Sequence, residues 1–72
     1  MYRGGVMLKN KLKEIRMKEY FIDSKSEFAR MLDIPVQTYI KWENEESNPN
    51  LDLAFTISKK LNKEITDIWY QE

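Results

Sequence analysis

Five residues in one short stretch carry the side chains best suited to chemistry with a partner: Val36, Gln37, Ile40, Lys41 and Asn44. The spacing predicts a helix over residues 36–44 that turns Tyr39 and Trp42, three apart, toward a core and leaves these five on the other side. Their face is mixed. A carboxamide both donates and accepts hydrogen bonds, an ammonium only donates, and two aliphatic side chains lie among them. This is not simply the charged back of a bundle helix. Catalysis finds less support. The 72 residues contain no His and no Cys, which removes the commonest general base and metal ligand, and all thiolate and disulfide chemistry. The carboxylates fall at expected caps, turns and helix surfaces, and no nucleophile–base pair is visible. The chain is therefore expected not to be an enzyme, and to hold neither metal nor cofactor.

Residues 24–44 must position that face, as two helices joined by a tight turn. Ser24-Lys25-Ser26-Glu27 has the S-x-x-E pattern of a capping box, in which the Ser24 hydroxyl accepts from the Glu27 amide and the Glu27 carboxylate reaches back to the Ser24 amide. Phe28, Ala29 and Leu32 supply the buried side, and the small Ala29 lets the next helix approach closely. Pro35 disfavours helical geometry at Ile34 and pre-sets its own φ for a new helix start, so Asp33-Ile34-Pro35 makes the turn.

The flanking elements read as helices too. Leu8, Leu12, Ile15 and Tyr20 mark one stripe of a first helix beginning near Met7 or Leu8, with Lys9, Lys11, Lys13, Glu14 and Lys18 on its outer face. Phe21 and Ile22 are expected to tuck under the second helix. A polar loop over 45–50 leads to a fourth helix from Leu51 to about Leu61, capped by Asn50 and ended by a left-handed Asn62. A last short helix is expected over residues 65–70, with Ile68 and Trp69 in the core. Residues 1–6, including Gly4-Gly5, read as a flexible tail, and residues 7–72 as one all-α domain of five helices.

Formal net charge is zero, which counts against nucleic-acid binding, but the charges are unevenly spread. Residues 1–41 carry nine Lys/Arg and five Asp/Glu, whereas residues 42–72 carry three and seven. A basic face on a neutral protein is compatible with that polarity. Apolar runs are only a few residues long, so neither a signal peptide nor a membrane span is expected, and a soluble, cytoplasmic chain follows.

In order and spacing, Glu27-Phe28-Ala29, Gln37-Thr38, Lys41-Trp42-Glu43-Asn44, Ser47-Asn48-Pro49 and an apolar helix ending in Leu61 resemble the Cro/CI-type, or Xre, helix-turn-helix family of phage and bacterial repressors. The resemblance runs from about Leu8 to Trp69. It implies a compact, lambda-repressor-like DNA-binding domain with residues 36–44 as recognition helix in the major groove. Base-reading positions map to Val36 and Gln37, and one turn later to Ile40 and Lys41. Gln can bond adenine N6 and N7, Lys can donate to guanine O6 and N7, and Val or Ile can touch a thymine methyl. Lys25, Asn44 and Ser47 match positions that meet the phosphate backbone; Thr38 donates to a phosphate or caps the helix. Arg16 and Glu43 match a pair that forms an internal salt bridge.

Three departures stand out. The chain between Arg16 and Ser24 is about two residues longer than the family pattern. Asp33 and Glu45 occupy positions where Gly is common, and Glu45 with Glu46 brings two negative charges toward the expected DNA backbone. The implied function is a sequence-specific transcriptional regulator of the repressor type, of phage or mobile-element origin. Its implied partners are a double-stranded DNA operator and a second copy of itself, joined through the last helices or the loop or else only on DNA, with no small-molecule ligand. The alternative is a helix-turn-helix module that binds a repressor, a toxin or a polymerase subunit. Zero net charge, Glu45, Glu46 and Ile40 motivate that second reading.

Overall fold

The computed structural model describes residues 8–71. The flexible tail expected over residues 1–6 lies outside them. The described residues form four helices and a small sheet: β1 (Leu8–Asn10), α1 (Leu12–Glu14, continued as a π-helical turn over Ile15–Glu19), α2 (Lys25–Leu32), α3 (Val36–Glu43), α4 (Leu51–Lys60), a 3-10 turn (Ile65–Asp67) and β2 (Trp69–Gln71). The five-helix, all-α expectation is thus corrected at both ends. Leu8–Asn10 is a strand rather than the start of the first helix, and the last helix shrinks to the 3-10 turn. The two strands pair antiparallel, with Leu8 opposite Gln71, Lys9 opposite Tyr70 and Asn10 opposite Trp69. The physical reason is backbone satisfaction: a three-residue helical end would leave most of its donors unpaired, whereas the two chain ends satisfy each other. The Lys11 amide extends the ladder by donating to the Ile68 carbonyl at 2.9 Å.

The helices converge on one core. Leu12 and Ile15 from α1, Phe28, Ala29 and Leu32 from α2, Tyr39 and Trp42 from α3, and Ala54 and Ile57 from α4 are all buried, with Ile68 and Trp69 closing the end. Phe28 stands edge-on to Tyr20 on one side and to Tyr39 on the other, at centroid distances of 5.5 and 5.6 Å. Burying side chains of this size contributes about 1.5–3 kcal/mol each, which is how so short a chain closes a core.

Local rules set the helix boundaries. The Ser24 hydroxyl accepts from the Glu27 amide at 3.1 Å and Asn50 Oδ1 from the Leu53 amide at 2.8 Å. The reciprocal Glu27 carboxylate bond is not formed among the described residues; Ser24 Oγ meets Ser26 Oγ at 3.0 Å instead. At their C-termini α2, α3 and α4 end in one motif. Asp33, Glu45 and Asn62 take φ of 66°, 61° and 57°. In each case that residue's amide bonds three residues back and the next amide five back, as in Ile34 to Ala29, Glu46 to Lys41 and Lys63 to Ser58.

The long connection after Arg16 has a specific solution. The Tyr20 amide bonds the Ile15 carbonyl at 3.1 Å, five residues back, and the Ile22 amide bonds the Arg16 carbonyl at 3.0 Å. Widening the turn takes up extra chain without displacing Arg16 from the core. Phe21 leaves that turn with φ 55° and is 84% exposed, so it does not tuck under α2 as expected; Ile22 alone packs partly inward.

Candidate nucleic-acid interface

The inner side of α3 is fixed by a polar network. Arg16 Nε donates to Glu43 Oε2 at 2.7 Å and Nη2 to Oε1 at 3.3 Å. Its Nη1 donates to the carbonyls of Ile22 and Asp23 at 3.0 and 2.5 Å. The Tyr39 hydroxyl donates to Glu43 Oε2 from one turn earlier on α3. Both side chains of the ion pair are only 3% exposed. The charges are therefore desolvated, but each has partners, which is the condition under which a buried pair is tolerated. Burial alone would push the Glu43 carboxyl up; the bonds from Arg16 and Tyr39 outweigh it and hold the group below its ordinary range. The bond to Glu43 raises Arg16, against the pull of burial. Burial first, then the bond to the carboxylate, raises the Tyr39 phenol well above its ordinary value. Arg16 and Glu43 are thus charged, and Tyr39 a neutral donor, near neutral pH.

The outer side of α3 is open. Gln37, Lys41 and Asn44, spaced at four and three, are exposed, and so is Ser47 in the loop beyond. Val36, Thr38 and Ile40 are half-buried, and Val36 packs against the core. The helix therefore presents a carboxamide and an ammonium one turn apart on a backbone held from behind, with aliphatic groups set lower beside them. Lys25, at the start of α2, is divided in its loyalties. Its Nζ lies 3.9 Å from Glu43 Oε1, and its side chain is 39% exposed. It stays partly open to an approaching anion, although part of its charge already faces Glu43 at the end of α3.

Glu45 does not hang free beside α3. Its Oε2 accepts from the Asn10 amide at 3.2 Å, and its Oε1 lies 3.6 Å from Lys9 Nζ. Asn10 then ties the ends together. Its Nδ2 donates to the Trp42 carbonyl at 2.7 Å and its Oδ1 accepts from the Leu12 amide at 3.1 Å. One of the two negative charges expected near DNA is thus folded back onto β1 and paired. Glu46 stays exposed, with Oε2 3.4 Å from Asn44 Nδ2. Sequence reasoning missed two participants. Tyr39 was legible, since Tyr39 and Glu43 are four apart on a helix. Asn10 was not, because its contacts with Trp42 and Glu45 cross 32 and 35 residues.

A family model described as helix-turn-helix matches residues 12–68, most of the chain. No curated protein sequence matches it.

Proposed function

Because the chain belongs to the helix-turn-helix family of Cro/CI-like, or Xre, DNA-binding domains, we propose that it is a sequence-specific transcriptional regulator of the repressor type, from a phage or mobile element. It acts by binding, without catalysis or cofactor, in the bacterial cytoplasm or nucleoid. The observation that carries this reading is the two-sided α3: Glu43 and Tyr39 locked to Arg16 behind, Gln37 and Lys41 exposed in front. In a major groove, Gln37 pairs with adenine and Lys41 with guanine, while Ile40 and the edge of Val36 meet thymine methyls. Lys25, Thr38, Asn44 and Ser47 grip phosphates and set the register. Two copies bind a pseudo-palindromic operator with recognition helices about 34 Å apart.

Pairing of Glu45 with Lys9 and Asn10 weakens one motive for a protein partner in place of DNA, since that charge is balanced within the fold. Selection from a pool of random duplexes tests the proposal. It should enrich two half-sites one helical turn apart, and Gln37→Ala should relax the consensus at one base pair in each. A pool that shows no enrichment contradicts it.

A further inference from the structure

Leu51 and Phe55, one turn apart on α4, are 68% and 50% exposed. Beside Leu51 opens a cavity of about 150 Å³ walled by Leu8, Pro49, Ala54, Ile65 and Trp69. Asp52 and Lys59 bracket Phe55 at three residues before and four after, so the three share one stripe of the helix. Both charged residues are exposed, and neither forms an ion pair among the described residues. An acid in the first turn and a base in the last suit the helix dipole. That accounts for the charges but not for two large apolar side chains left in water between and beside them.

We propose that this stripe is the face through which two copies of the chain associate, their α4 helices antiparallel about a two-fold axis near Phe55. The charge order selects both the occupant and the orientation. An antiparallel pair sets Asp52 of each copy against Lys59 of the other, twice, with the two Phe55 rings between them. A parallel pair would set like against like. A two-fold axis lets one patch serve both sides, and Leu51 beside the cavity supplies apolar area at the flank. The face gives the dimer of the proposed function its surface and rests on that reading for its purpose, though not for its test.

Sedimentation equilibrium of the full chain without DNA provides the test. Asp52→Lys and Lys59→Asp should each weaken self-association about tenfold, as two attractive pairs become repulsive. An equimolar mixture of the two variants should recover it as a heterodimer, and so should the double variant D52K/K59D. Circular dichroism and binding to a single DNA half-site should be unchanged in all of them. A wild-type chain that stays monomeric, or variants whose mixture recovers nothing, overturns the proposed face. If half-site binding persists in that case, the DNA reading survives. Self-association that obeys the charge rules in a chain that binds no DNA would instead uphold the face and remove the DNA reading.

Discussion

Arg16 meets four oxygens: both of the Glu43 carboxylate and the carbonyls of Ile22 and Asp23. One guanidinium therefore joins α1, the chain entering α2, and α3. Arg16→Ala would leave Glu43 buried with only Tyr39 and the distant Lys25, and should cost about 3–5 kcal/mol in urea unfolding. That is a large share of the stability of so small a domain. The depressed Glu43 carboxyl adds a pH signature. Its stabilisation is fully present above the ordinary glutamate pKa of about 4.3 and is lost as pH falls through the lower folded value. The stability advantage of wild type over Glu43→Gln should shrink progressively as pH falls below about 4; an advantage that does not shrink on acidification would contradict the charged pair. On the outer side, titrations against DNA should separate two roles. Gln37→Ala should lose about 1–3 kcal/mol of discrimination at one base pair, whereas Lys25→Ala should weaken all sequences alike.

At the scale of elements, three helices end on left-handed residues that are not glycine. Among the described residues the Asp33 side chain has no hydrogen-bond or ion-pair partner, so Asp33→Gly should raise stability by about 0.5–1 kcal/mol by removing the left-handed penalty. Glu45→Gly should gain less or lose, because the same change severs the bonds to Asn10 and Lys9. Thermal melts of the two variants decide between these outcomes. The elements also show where sequence was informative. Starts and ends of α2, α3 and α4 depend on neighbours no more than five residues away, such as Ser24 with Glu27 or Pro35 with Ile34, and those neighbours can be read in order. The strands could not be read. Each is three residues long, too short for an alternating pattern, and each exists because the other end of the chain lies beside it. The π-helical turn was legible only as surplus length, since nothing in 15–19 distinguishes widening of a helix from a longer loop.

For the whole molecule, net charge is a poor guide to its surface. Nine of the twelve basic residues lie in the first 41 positions, and acidic Glu43 and Glu45 are both held by partners. Gln37 and Lys41, named from the sequence, stand open, and Arg16 and Glu43, also named from it, meet at 2.7 Å. What the sequence could not supply was the fate of Glu45, since its partners arrive from the far end of the chain. If Lys9 shields DNA from Glu45, Lys9→Met should weaken binding and Glu45→Gln in the same chain should restore it. Among the described residues no helix is long and apolar enough to cross a membrane. The most direct measurement is the affinity for duplex DNA from upstream of the protein's own gene, taken across a salt series. Affinity should fall steeply, with the logarithm of the binding constant dropping by about 0.9 per phosphate contact for each decade of salt. Absence of binding at low salt, or binding indifferent to salt, would contradict a DNA-gripping α3.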